Sequence, residues 1–195
     1  AYPEVIEMLL EKLFSEVQND ISIKIRLGFY EKDEIKSLMP LLNQFPLKEL
    51  IVHPRLGSHM YQGTPDLDAF EWCVKKSKAP VIYSGDIFSV ESMEALKMRF
   101  PQQEKWMIGR GVIYDLVLPW EIKNGPMPMA EKRELFPLFH HASLEEVIDY
   151  RSRSRNQLNK MKEYWGYFSR QFENYEAIHY KLTRTNTLEE FQDMS

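Results

Sequence analysis

Hydrophobic and polar positions change period along the chain in a repeating way. Between Glu4 and Val17, Val5, Leu9, Leu13 and Val17 recur every fourth residue with Ile6, Leu10 and Phe14 beside them, which predicts an amphipathic helix. Asn19-Asp20 ends it. Ile21–Leu27 then alternates, with Ile21, Ile23, Ile25 and Leu27 on one face and Ser22, Lys24 and Arg26 on the other. Taken alone, that alternation suits a plain surface strand equally well. Gly28 closes the strand and Asp33–Leu42 reads as a helix. The cycle repeats as a strand over Leu47–Arg55 ending in His53 and Arg55, a loop with Tyr61 and Gly63, and a helix over Asp66–Lys76. Val81–Ser84 is an apolar run of β-formers that stops at Ser84-Gly85-Asp86, the pattern of a buried parallel strand opening into a tight polar loop. Ser89 is placed to cap the next helix, Val90–Phe100, and Lys105–Gly111 reads as a fourth strand.

Strands thus begin near residues 21, 49, 80 and 105, about the length of chain that each unit of a (β/α)8 barrel of ~250 residues uses. The predicted fold is α/β: the C-terminal half of a TIM (β/α)8 barrel, four βα units within residues 1–125, followed by a small α-helical domain over 137–195. Asn124–Met129, with its glycine and prolines, predicts an irregular connector. Beyond it, Ser143-Leu-Glu-Glu146 and Thr187-Leu-Glu-Glu190 have the form of capping boxes that open helices. Leu158, Met161, Trp165, Phe168 and Phe172 fall three and four apart and predict one long helix with an aromatic stripe, more suited to core than to base stacking.

Composition narrows the chemistry. A formal charge of −4 rules out a generic polyanion binder, so nucleic-acid contact must come from a local cluster. Arg151, Arg153, Arg155, Lys160 and Lys162 form such a cluster without an intervening acid, and read either as a solvated face or as contacts to a phosphate backbone. Cys73 is the single cysteine; it points to a cytoplasmic, reducing environment and to a small buried hydrophobe. No apolar run is long enough to span a bilayer, and His140-His141 lack the partners of a metal site. The start at Ala-Tyr-Pro reads as a piece of something longer. At the strand ends, Ser84-Gly85-Asp86 and Gly109-Arg110-Gly111 read as a phosphate cradle or as plain turns. If the isoleucines of the first strand face the helices, Lys24 and Arg26 point into the barrel mouth, with His53 at the next strand end. A ligand carbonyl, an electron-rich ring or Asp86 could partner the cation of Lys24.

These four strand ends resemble the C-terminal half of the tRNA-dihydrouridine synthase family. The resemblance lies in Ile23-Lys-Ile-Arg-Leu-Gly28, Val52-His-Pro-Arg55 followed by Tyr61-Gln-Gly63, Val81-Ile-Tyr-Ser-Gly-Asp-Ile87 and Met107-Ile-Gly-Arg-Gly111. Ser84, Pro54 and Tyr114-Asp115 depart from the family's usual asparagine, glycine and Asn-Pro. The resemblance implies flavin mononucleotide (FMN) at the top of a barrel, NADPH as its reductant, and hydride delivery to the C5–C6 double bond of a uridine flipped out of tRNA. Under it, Lys24 contacts the flavin ring and His53 lies near the cofactor. Ser84, Gly85, Asp86, Gly109 and Arg110 hold its phosphate and ribityl chain. Arg55 and Tyr61 lie toward the uridine, and Arg151, Arg153 and Lys160 of the tail grip tRNA. The cysteine that protonates the uridine would precede residue 1. No catalytic residue is therefore expected in this chain, which alone would be inactive. Open sheet edges would favour a homodimer or a marginal fold. Two rivals are another flavin-binding barrel reductase of a small molecule and a non-catalytic RNA-binding remnant.

Overall fold

The computed structural model describes residues 2–149 and 154–195. Four strands, β1 (Ser22–Gly28), β2 (Glu49–Leu56), β3 (Val81–Ser84) and β4 (Trp106–Met107), form one parallel sheet in the order of the sequence. Helices alternate with them: α1 (Pro3–Glu16) before β1, then α2 (Glu34–Leu42), α3 (Leu67–Lys76) and α4 (Val90–Arg99) after β1, β2 and β3. The protein is thus α/β with a parallel four-stranded sheet, and all four strand ends lie along one side of it. Two compact units follow from the chain's contacts, Ala1–Asp86 with Leu96–Ile108, and Ile87–Ala95 with Gly109–Ser195.

In the first unit the strands are polarised by period two. Leu50, Val52 and Tyr83 are at most 1 % exposed, and Tyr83 meets the edge of Phe70 of α3 at 4.9 Å between ring centroids. This is the helix-covered face, the one carrying the isoleucines of β1, and it leaves Lys24, Arg26, His53 and Arg55 on the other. Pro54 lies where the β1–β2 ladder slips: Arg26 pairs with His53 but Gly28 with Leu56, so two residues of β2 oppose one of β1. A residue without an N–H fits the irregularity, and its carbonyl accepts from Asp66 N at 2.7 Å. Ser89 caps α4 as expected, its Oγ accepting from Ser92 N at 3.2 Å.

Three local expectations are corrected. The fourth strand is two residues long, not seven, because Gly109 leaves the extended region (φ −106°, ψ −102°) and Arg110–Tyr114 is already helical (α5). Ser143 opens no helix. It sits inside α7 (Met129–Asp149), which contains Pro137. Phe136, Leu144 and Val147 of that helix all pack in one core, and that continuous face outweighs the local capping signal. Phe172 is not in the aromatic helix, since α8 (Ser154–Phe168) passes through a 3-10 turn at Ser169–Gln171 and Phe172 is extended.

The second unit also holds α6 (Leu118–Asn124), α9 (Tyr175–Thr183) and α10 (Leu188–Met194). Leu158, Met161, Trp165 and Phe168 of α8 form the centre of its core, with Leu182 of α9 and Phe191 of α10. Thr187 caps α10 by accepting from Glu190 N at 3.1 Å, and Glu190 reaches back to Asn186 N at 2.8 Å, one residue earlier than in the standard box.

Candidate functional site

In the first unit the ends of β1, β2 and β3 bring five of the predicted site residues together: Lys24, His53, Arg55, Tyr61 and Asp86. Side chains two apart on a strand share a face, and parallel pairing of Arg26 with His53 sets the two rows side by side. Arg55 is 3 % exposed and His53 6 % exposed. The Arg55 guanidinium is bidentate on Asp86: Nη1 donates to Oδ1 at 2.8 Å and Nη2 to Oδ2. Nη2 also donates to Gly63 O, which ties the loop carrying Tyr61 to the strand ends. Nη1 lies 3.4 Å from His53 Nε2. Arg55 Nε is buried without a partner. Asp86 therefore serves Arg55, and Arg55 turns toward Asp86 and Gly63.

Arg26 belongs to this group, although the predicted site omits it. It donates to Leu56 O at 2.7 Å and Met60 O at 2.6 Å, and lies 5.4 Å from the centroid of the Tyr61 ring. Its place two residues after Lys24 on an alternating strand is the signal that marks it. The electrostatics follow from crowding of cations. Burial first, then Arg26, Lys24 and Arg55 push the His53 pKa down to about 4 against the opposing pull of Asp86, so the imidazole is neutral at neutral pH. Lys24 is exposed yet its pKa is lowered, by desolvation and then by Arg26. Among the described residues nothing hydrogen-bonds to Lys24 Nζ or accepts from His53 Nδ1. Two such groups without internal acceptors, beside the Arg26 charge, favour an anionic or carbonyl-rich ligand.

The glycine-rich loops divide in meaning. A Cβ on Gly85 would stand 2.2 Å from Tyr83 Oη, so this glycine is demanded by the packing of Tyr83. Ser84 is half-buried at the end of β3. Gly109 and Arg110 lie in the second unit. A Cβ on Gly109 would meet nothing within 4 Å, and Arg110 opens α5 with its guanidinium 5.3 Å from the centre of Phe88. The end of β1 makes a further nest of backbone N–H groups that the sequence did not reveal. Phe29, Tyr30 and Glu31 donate to Glu34 Oε1 at 3.0, 2.8 and 2.9 Å, and these bonds, led by that from Glu31, lower the Glu34 pKa to about 2.

Cys73 is fully buried on α3, and burial pushes its thiol up to about 12, which makes it inert as an acid or nucleophile at neutral pH. In the tail, Lys160 pairs with Glu163 at 3.0 Å and lies 4.9 Å from the centre of Tyr164. Arg151 and Arg153 lie outside the described residues. Among the described residues no cluster of His, Cys, Asp and Glu could hold a metal ion, and no helix is long and apolar enough to cross a membrane.

A family model described as dihydrouridine synthase matches residues 1–194. A probable tRNA-dihydrouridine synthase of Helicobacter pylori is 32% identical over 136 residues, covering 68% of this chain and 40% of that protein. tRNA-dihydrouridine synthase B of Pasteurella multocida is 28% identical over 121 residues, 61% of this chain and 35% of the relative. The Escherichia coli K12 protein of that name is 25% identical over 146 residues, 69% and 44%. The chain thus spans less than half the length of these relatives.

Proposed function

The chain belongs to the dihydrouridine synthase family, and from that membership we propose that its residues serve the FMN-dependent reduction of the C5–C6 double bond of uridine in tRNA, with NADPH as reductant. The observation that carries the reading is the row Lys24, Arg26, His53 and Arg55 along one sheet face, with the donors of Lys24 and His53 pointing at no internal acceptor. Such a row fits an electron-rich ring system bearing carbonyls. In this reading the sheet is the C-terminal half of a (β/α)8 barrel within residues 1–125, and residues 137–195 form a helical domain that meets tRNA through Lys160, Arg151 and Arg153.

FMN bound at this face would supply the hydride chemistry. Lys24 and His53 would donate to the ring and hold its orientation, and the positive charges of Lys24 and Arg26 would favour electron density gathering on that side. The Arg55–Asp86 pair fixes the loop of Tyr61, which closes the mouth over the reacting base. Ser84 and Arg110 are assigned to the ribityl chain and phosphate. Cys73 cannot be the acid, given its burial behind the sheet. We assign the proton to a cysteine outside these 195 residues, so the chain by itself is expected not to turn over.

The test is the full-length protein. We expect it to be yellow, to release FMN on denaturation, and to restore dihydrouridine to tRNA from cells that lack its gene. Lys24→Ala and His53→Gln should each weaken FMN about tenfold, the size of one lost hydrogen bond. A colourless protein with no affinity for FMN overturns the proposal. FMN binding without any change in tRNA would instead favour a small-molecule reductase.

A further inference from the structure

The Asp86–Arg55–His53 contacts have a chemical direction. A guanidinium only donates, so at 3.4 Å His53 Nε2 meets Arg55 Nη1 as an acceptor or not at all. Asp86 prevents Arg55 from rotating away, because both carboxylate oxygens hold its two terminal nitrogens. Gly63 O holds Nη2 from a third direction. We infer that Asp86 and Arg55 are positioning residues that lock His53 as the neutral tautomer with its proton on Nδ1, so that the end of β2 offers an N–H donor and never a lone pair to its ligand.

The surroundings support the lock. Lys24 and Arg26 from β1, Arg55 from β2 and Asp86 from the end of β3 are the charged groups acting on the imidazole, and the three cations outweigh the one anion in opposing a second ring proton. Among the described residues no acceptor occupies Nδ1. An N–H fixed there donates to a ring carbonyl or an unprotonated ring nitrogen. It would repel a protonated one. The lock thus selects the protonation state of the ligand edge that meets β2. This use of the tautomer rests on the flavin reading above; the tautomer itself does not.

The experiment is nitrogen-15 NMR of histidine-labelled full-length protein at neutral pH, with the His53 signals assigned by their loss in His53→Gln. We expect a protonated Nδ1 and a bare Nε2. Arg55→Met should return the ring to the Nε2–H form that unconstrained histidine prefers. Asp86→Asn, which keeps the shape and one acceptor, should give a mixture and decides the matter if Arg55→Met does not fold. A bare Nδ1 in the parent, or an unchanged tautomer in the folded variants, overturns the lock. Titration with FMN separates the two claims: in both variants affinity should fall about tenfold. A parent that binds no FMN but shows the expected tautomers leaves the lock standing and removes the flavin.

Discussion

The two faces of the sheet are made from alternate residues of the same strands, yet they are stabilised in opposite ways. Beneath the helices, Leu50, Val52, Tyr83 and Phe70 are sealed from water. Their contribution is the non-directional burial of apolar area, about 1.5–3 kcal/mol for each large side chain. The opposite face holds four cationic or basic side chains and Asp86 as the one carboxylate that answers Arg55. Its order comes from direction, a bidentate pair and backbone carbonyls, and among these side chains the cations outnumber the carboxylate. The difference teaches where this chain can tolerate change. The apolar face sets whether the sheet exists, and the polar face sets what the sheet can bind.

Substitutions that act on one face only would sharpen that contrast. The largest effect is expected from Phe70→Ala, which opens a cavity between α3 and Tyr83 and should cost about 3–5 kcal/mol in denaturant unfolding. Comparable losses from Lys24→Ala would break the comparison. Asp86→Ala comes next, at about 3 kcal/mol, because it strands the buried Arg55 without a counter-charge. Replacing both partners with apolar residues should recover much of that loss, although the loop of Gly63 would be released.

Acid titration should be smaller. Below the ordinary histidine value of 6.5 the unfolded chain takes up a proton that folded His53 refuses until about pH 4. Stability is therefore full above 6.5, declines as pH falls toward 4, and should lose about 2 kcal/mol after allowance for solvent screening. His140 adds to the same slope: burial lowers its pKa and its Nε2 accepts from Trp165 Nε1 at 3.0 Å. The difference between parent and His53→Gln melting curves isolates His53, and a constant difference between pH 4 and 7 contradicts the prediction. Lys24→Ala should be the smallest of all on stability, within about 0.5 kcal/mol, while still weakening FMN about tenfold.

The faces were legible because period two is a strong constraint. Ile23, Ile25 and Leu27 against Lys24 and Arg26 leave only one sensible orientation beside helices. The partnership of Arg55 with Asp86 was not legible. Thirty-one residues separate them, and only the β2–β3 register brings their strand ends together. The short β4 and the early start of α5 depend on the backbone of a single glycine, Gly109, whose conformation no period reveals. Ser143 misled for a related reason. Capping boxes are local, and Leu144 and Val147 are held by α8, a long-range contact that overrides a local signal. The nest that Glu34 fills was equally hidden, since its donors are backbone groups without a side-chain signature.

One buried thiol has a practical consequence. Cys73 sits at zero exposure behind the apolar face, and it is the sole sulfhydryl among the 195 residues. A reagent that modifies thiolates can reach it only when α3 lifts from the sheet, so the labelling rate of this chain counts openings of the first unit one molecule at a time. The protein carries its own clock for the breathing of one half, readable by mass without any added probe site.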